Sequence, residues 1–333
     1  MLERFAIRGG AIIEATDEAS IFIYSAPDEA ERQVLLSEYR LDAHDMGSSL
    51  DPDELGRLET DGGLVHCIVK IPRNFTAEDK LLFTVTSMGM FLYRNRLIVV
   101  TTDAVELFGD RQIHKVANLR DAVLKILYGL VNHFHDHLKV INMLSDSLEK
   151  RLHASSGNRY LLDMFTLEKS LVYFINGIAS NQMVFEKMRL SAARMRLTAA
   201  QRDILEDIMI ENQQCGRQAD IYSDILTGLM DARGSIVSNN LSMTMKRLTM
   251  ISVIFMPLTV LTGIGGMSEF TMMLGDVPWH VGYALFMVGL VVIGFATNFI
   301  LQKIKLQRDE ADIHRHRERM PRIPGMRERK RKR

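Results

Sequence analysis

The sequence predicts an α+β domain with long stalk helices, followed by two membrane-spanning helices. Three observations carry this reading. Short β-rich runs crowd residues 21–101. From Asn118 onward apolar residues recur at helical spacing. Near the C-terminal end, two stretches without a charged residue are each long enough for the roughly 20 residues a helix needs to cross a bilayer.

The 333 residues carry 41 Lys and Arg against 41 Asp and Glu, but the zero sum hides an asymmetry. Residues 303–333 hold thirteen Lys and Arg against five Asp and Glu, a charge of +8. Residues 246–302 balance, so 1–245 carry −8. An acidic body, a neutral middle and a basic end fit a membrane protein. An apolar content of 47% excludes a disordered chain, and two cysteines exclude a disulfide-stapled one. Cys67 and Cys215 are expected as reduced thiols of a cytosolic compartment. The opening MLERFAIRGG lacks the apolar core of a signal peptide.

Residues 1–117 read as the cytoplasmic α/β domain. Strand signals fall at 21–24, 64–71, 81–85, 90–93 and 97–101, with a helix over 28–39 introduced by Pro27. Their close spacing predicts a meander with helices on one side. Residues 118–246 read as long stalk helices. Leu127, Val131, Phe134, Leu138, Ile141, Leu148 and Leu152 form one apolar stripe, broken by a turn at 155–158. A second helix is expected from Tyr160 to about Leu197, with Leu161, Phe165, Leu171, Phe174, Ile178 and Phe185 apolar. Thr198 caps a third, which meets no breaker before Pro257 and enters the first span uninterrupted.

The spans are read at 247–267 and 281–301, since only a helix satisfies its own backbone in hydrocarbon as an open chain. Core helices of a soluble protein rarely run this long without a charge. Lys246 and Arg247 precede the first span, and Lys303, Lys305 and Arg308 follow the second. The loop 268–280 has Glu269 and Asp276 but neither Lys nor Arg. The positive-inside bias places both termini in the cytoplasm, with Trp279 and Tyr283 as interfacial anchors. Two helices cannot enclose water, so any transport requires an oligomer.

Along the third helix, heptad steps from Asp231 meet Ser235, Ser238, Ser242, Met245, Thr249, Ser252, Met256, Thr259 and Gly263. A heptad seam is ordinarily the most apolar face of a helix, and this one is the most polar. Two explanations compete. Small residues let membrane helices approach closely, with hydroxyls bonded to a neighbour or to the i−4 carbonyl. Alternatively, a symmetric bundle surrounds water, hydroxyls touching a hydrated ion and Met rings forming dry constrictions. The second also accounts for the continuation of the stripe beyond the membrane and for its Asp. Hydroxyl oxygens accept from the water shell that Mg²⁺ sheds reluctantly. The stripe has neither thiolate nor imidazole for softer metals. Glu269 and Asp276 would form acidic rings at the outer mouth.

Leu229-Met-Asp231, Val237-Ser-Asn239, Met245-Lys-Arg-Leu248-Thr-Met-Ile251, Ile254-Phe-Met256-Pro257-Leu-Thr259 and Gly263-Ile-Gly-Gly266-Met267 resemble the pore helix of the CorA superfamily of divalent-cation channels and transporters. The resemblance implies a funnel-shaped homopentamer whose first membrane helix lines the pore. It puts Thr259, Met256, Leu248, Met245 and Ser242 on pore positions, Asp231 on the acidic position below, and Asp207 on a regulatory carboxylate between subunits. The resemblance further implies that cation binding there holds the channel shut when internal metal is plentiful, and Asp45 and Asp51 lie near the region expected for its partner. The outer-mouth signature Gly-Met-Asn is here Gly266-Met267-Ser268, next to Glu269, and the gate position, commonly Asn, is Ser242. These departures leave the ion open: Mg²⁺ first, with Zn²⁺, Co²⁺ and Ni²⁺ as alternatives, since the zinc-transporting ZntB branch also departs there. The pattern resembles the bacterial CmaX branch too.

His133 and His137 stand four apart on one helix, a spacing that can hold a metal, though they are expected on a solvated shoulder. The basic tail 302–333 reads as an orientation signal lying on anionic lipid, without need of nucleic acid. His-Glu-x-x-His, the phosphate-binding Gly-x-x-x-x-Gly-Lys and Cys-x-x-Cys are missing, so neither an enzyme nor a resident cofactor is expected. The expectation is a cation channel of a bacterial inner membrane gated by cytosolic metal. Against it stand a proton-coupled zinc transporter and a non-conducting, membrane-anchored metal sensor.

Overall fold

The computed structural model describes residues 1–16, 18–61, 64–74, 81–105, 107–108, 115–154, 159–268, 272, 275 and 278–319, with backbone alone at 152–154 and 304–319. It divides into two compact units, Met1–Arg233 and Gly234–Arg333.

The first unit opens with a hairpin that the sequence reading missed: β1 (Leu2–Arg8) and β2 (Ala11–Glu14). Glu3, Arg4 and Arg8 blur its alternation. Gly9 and Gly10, at φ 60 and 84°, supply the left-handed pair that a two-residue hairpin turn requires. The sheet continues with β3 (Ile21–Ser25), β4 (Arg57–Asp61), β5 (Leu64–Pro72), β6 (Val85–Leu92) and β7 (Leu97–Thr101). Its order is β2-β1-β3-β7-β6-β5-β4. β3 and β7 pair in parallel and every other pair is antiparallel, so the sheet is not a simple meander. Of the strand signals expected at 81–85 and 90–93, β6 takes only Val85 from the first and 90–92 from the second; residues 81–84 lie outside any strand.

Helices cover both faces of the sheet, not one. Alternate residues of β3 and β7 divide between them, as the two-residue period of a strand demands. Tyr24, Ile98 and Val100 meet Leu35 of α1 (Glu29–Ser37) and Leu41, which precedes α2 (Ala43–Leu50). Ile21, Ile23, Leu97 and Val99 belong to the larger core, with Leu127, Phe134, Phe174 and Ile208 of the long helices. Strands buried on both faces lose their polar alternation. The unbroken apolar run of β7, Leu-Ile-Val-Val-Thr, is the mark of that two-sided cover.

The long helices are α3 (Leu119–Ala154), α4 (Arg159–Leu190) and α5 (Ala199–Gly265). The α3 stripe packs as expected, with Leu127, Val131, Phe134, Leu138, Ile141 and Leu148 buried. Asn181 of α4 clamps β5 where its edge runs past β4: its Oδ1 accepts from the Lys70 N–H at 2.7 Å and its Nδ2 donates to the Lys70 carbonyl at 2.8 Å. An amide side chain thus takes the place of a missing strand. Helix α4 stops at Leu190, seven residues before the expected end. Residues 191–196 are good helix formers, but Met195 and Leu197 are buried and Arg120 Nε donates to the Met195 carbonyl at 2.7 Å. Tertiary contacts here outweigh local propensity.

Thr198 caps α5 as expected, and Gln201 completes a reciprocal box. Thr198 Oγ1 accepts from Gln201 N at 3.3 Å, while Gln201 Oε1 accepts from Thr198 N at 3.0 Å. The Gln201 amide also donates to Asp121 and Asn118; Asn118 accepts from the Arg120 and Asp121 N–H groups in the first turn of α3, and Asp121 from those of Ala117 and Asn118 just before it. One buried side chain therefore ties two helix starts together. Gln201→Leu is expected to cost about 2 kcal/mol, from the lost cap and the stranded Asp121. A thermal melt of the detergent-solubilised chain should show the lower midpoint.

The second unit contains the C-terminal part of α5 and α6 (Trp279–Arg319). The apolar stretch of α5 and residues 279–303 of α6 are long and apolar enough to cross a membrane, and neither is buried within the chain.

Candidate functional site

The C-terminal part of α5 and α6 pack as two antiparallel strokes of one hairpin. Gly265 lies against the Phe286 ring, where an added Cβ would stand 2.4 Å from Cζ, and Leu258 approaches Gly294. On α5 the half-buried residues are Met250, Ile254, Pro257, Leu258, Leu261 and Gly265. At about 100° per residue these six share an arc of roughly 100°. Met245, Thr249, Ser252, Met256, Thr259 and Gly263 centre about 180° away by the same count. The polar stripe therefore lies on the side of the helix opposite α6, and its members are exposed in the single chain, as are Asp231, Ser235, Ser238 and Ser242 below them. Leu248 sits at the edge of this stripe and is exposed as well.

Three stripe hydroxyls donate to carbonyls four residues back: Thr249 to Met245 at 2.9 Å, Ser252 to Leu248 at 3.1 Å and Thr259 to Phe255 at 2.9 Å. A hydroxyl has one hydrogen and two lone pairs. With the hydrogen spent on the helix, each offers a neighbour acceptor capacity alone. That suits water molecules oriented with hydrogens outward around a cation. Back-bonding by itself also fits a close-packed helix pair, so the face and not the hydrogen bond distinguishes the two.

At the C-terminal end of α5, Gly266 N donates to Thr262 O and Met267 N to Ile264 O, both at 3.1 Å, and Gly266, Met267 and Ser268 are exposed. Glu269 and Asp276, expected as acidic rings, lie outside the described residues. So do residues 320–333 of the basic tail. Trp279 and Tyr283, expected as interfacial anchors, are exposed near the start of α6.

Asp207 lies on the exposed side of α5, between buried Leu205 and Ile208. Its two candidate partners differ. Asp45 is buried, and both its oxygens are committed, one to Arg57 and one to His66 Nδ1 at 2.8 Å. Asp51 is exposed; its Oδ1 accepts from Asp53 N at 2.9 Å. Sequence position could not separate them, because Asp45 is neutralised by β4 and β5 residues remote in the chain.

The histidine pair is not on a solvated shoulder. The His133 and His137 rings lie 4.4 Å apart, and His137 packs edge-on to Phe83. His137 Nδ1 lies 3.0 Å from the His133 carbonyl, and the Arg73 backbone bonds the same imidazole. Among the described residues no group of three or more His, Cys, Asp and Glu is arranged to hold a metal. Burial, with His137 a lesser cause, holds the His133 imidazole down at about 4. The unfolded chain takes up this proton near pH 6.5, the folded chain only near 4. Stability is therefore full above pH 6.5 and falls as pH drops, by at most about 1.4 kcal/mol per unit for one proton. Replacing His133 by Phe is expected to flatten the slope of denaturation midpoint against pH between 6.5 and 4.

Two apolar candidate spans that follow an α+β unit in the chain, the first with a hydroxyl-bearing face left open, are the features of a membrane protein. Residues 17–303 match the model of the family described as CorA-like Mg²⁺ transporter protein. The chain belongs to that family, whose members are ion transporters and not enzymes. It is 26% identical over 305 residues to the cobalt/magnesium transport protein CorA of Methanocaldococcus jannaschii, covering 86% of this chain and 93% of that one. The complete structure of the CorA magnesium transporter from the same organism superposes with a TM-score of 0.76 at 22% identity, over 90% of this chain and 96% of that one. The full-length CmaX protein is similar in fold, with a TM-score of 0.66 at 14% identity, covering 91% and 97%.

Proposed function

We propose that this chain assembles as a homopentamer in a bacterial inner membrane, both termini cytoplasmic, and conducts divalent cations along the stripe from Asp231 to Gly263. The observation that carries the reading is the azimuth of that stripe. With α6 on one side of α5, the side left for a central axis is the one rich in oxygen acceptors. A heptad-spaced face is the one that turns inward in a left-handed bundle. Mg²⁺ is the first candidate, and the name of the archaeal relative supports Mg²⁺ and Co²⁺. Ser268 in place of an amide keeps Zn²⁺ and Ni²⁺ in the test. An inside-negative potential contributes about 2.3 kcal/mol per charge per 100 mV, which favours entry without ATP.

Flux into proteoliposomes loaded with a metal-sensitive dye tests this directly. Uptake of one or more of Mg²⁺, Co²⁺, Ni²⁺ and Zn²⁺ down an imposed gradient is expected. Silence for all four would replace the channel with a membrane-anchored metal sensor, and zinc uptake that follows an imposed pH gradient would replace it with a proton-coupled transporter. Asp207, exposed and apart from the Asp45 network, is the proposed regulatory carboxylate. Asp207→Ala is expected to raise the internal metal concentration that halves flux by roughly tenfold, the loss of about 1.4 kcal/mol of cation binding. A variant still inhibited as strongly as the parent would move the regulatory site elsewhere.

A further inference from the structure

We infer that Met245 and Met256 form thioether sites for soft monovalent cations, Cu(I) and Ag(I), each built from neighbouring copies of the chain; this rests on the central-path reading above. The two are 56% and 71% exposed in the single chain, as are other apolar residues of this span; what sets them apart is the face on which they stand. Both stand on the side of α5 opposite α6. Their separation of eleven residues returns to nearly the same azimuth after about three turns, and Met267 follows at the same interval beyond the end of the helix.

Eleven residues rise about 16 Å along a helix, so one chain cannot bring both sulfurs to one ion. Thioethers from several copies at one level can. A thioether is neutral and polarizable, a ligand that selects Cu(I) over hard cations, whereas Mg²⁺ demands oxygen and keeps its waters. The two cation classes should therefore part company on this face: hard ions pass in their water shells along the hydroxyls, and a soft ion lodges at sulfur and obstructs them. The thiols, the usual competitors for a soft ion, are withdrawn. Cys67 and Cys215 are both buried, and burial pushes the thiols up, that of Cys215 to about 12, so neither presents a thiolate near neutral pH. His133 and His137 are packed against each other. His44 and His280, the latter tilted against Trp279 near the start of α6, are exposed imidazoles that could contribute nitrogen.

The test uses the full chain in chloride-free nitrate buffer. Silver bound is measured by equilibrium dialysis, its ligands by X-ray absorption at the silver edge, and silver block by dye-reported Co²⁺ or Mg²⁺ influx, each variant scored against its own silver-free rate. Silver held by two or more sulfurs at less than one ion per chain is expected, together with block of influx. The double variant Met245→Leu, Met256→Leu, close in volume, should lose the sulfur signature and weaken block by roughly tenfold or more. The double variant Cys67→Ala, Cys215→Ala should keep both. Silver bound through nitrogen or oxygen alone, block that survives the methionine changes, or block lost with the cysteines would overturn the inference. Sulfur-bound silver in a chain that conducts no divalent cation would keep the site and end the channel reading. A conducting chain that binds no silver at sulfur would do the reverse.

Discussion

Thr259→Leu is expected to abolish divalent-cation influx in proteoliposomes while the protein still assembles. Thr259 spends its hydrogen on Phe255 and keeps its lone pairs, so in the proposed assembly it offers a ring of acceptors to the water shell of an ion. A hydrogen bond to a neutral partner such as a shell water is worth about 0.5–1.5 kcal/mol, so losing even one of these contacts lowers occupancy by roughly 2–10-fold. Five isobutyl groups on the axis would add a dry constriction. Ser242→Leu acts in the same direction lower on the stripe. Thr259→Ser keeps the oxygen and should conduct. If α5 instead turned this face to lipid, Leu would be at least as comfortable as Thr and influx would not change. Undiminished influx through Thr259→Leu would take the residue out of the path.

The second large effect is on stability. Asp45→Ala is expected to destabilise the Met1–Arg233 unit by about 3–5 kcal/mol, because it strands the partners of a buried carboxylate. Arg57 keeps 21% of its side-chain surface exposed and His66 26%, too little for water to replace what Asp45 supplies. The arrangement holds α2 against β4 and β5, so its loss should lower the melting midpoint on the order of 10 °C. Asp45→Asn, with one acceptor retained, should lose less. The same variant separates two roles for this residue. A carboxylate that bound regulatory metal with Asp207 would shift the metal dependence of flux at unchanged stability, whereas a structural one shifts the melt first.

Several features of the protein were legible because they are local. The spans follow from the absence of charge over a fixed length. The α3 stripe follows from a period, and the N-cap at Thr198 from a side chain three residues from its partner. Even Gln201 belonged to a recognisable box, Thr198-x-x-Gln201, although its further bonds to Asp121 and Asn118 lie about 80 residues back. Where alternation is absent the period says little: Glu3, Arg4 and Arg8 hide the strand β1, and the expectation of helices on one side of the sheet overlooks the unbroken apolar run of β7.

Composition and spacing along single elements were enough for an acidic α+β body, two uncharged stretches of spanning length, and a heptad line of hydroxyls, methionines and glycine on the helix leading into the first of them. Long-range packing set the rest: β3 pairs parallel with β7, α4 ends at Leu190, Asp45 is spent on Arg57 and His66 while Asp51 stays exposed, and α6 packs on the side of α5 away from the hydroxyls. Those outcomes depend on which distant surfaces meet, and a linear period repeats equally well whichever partner covers it.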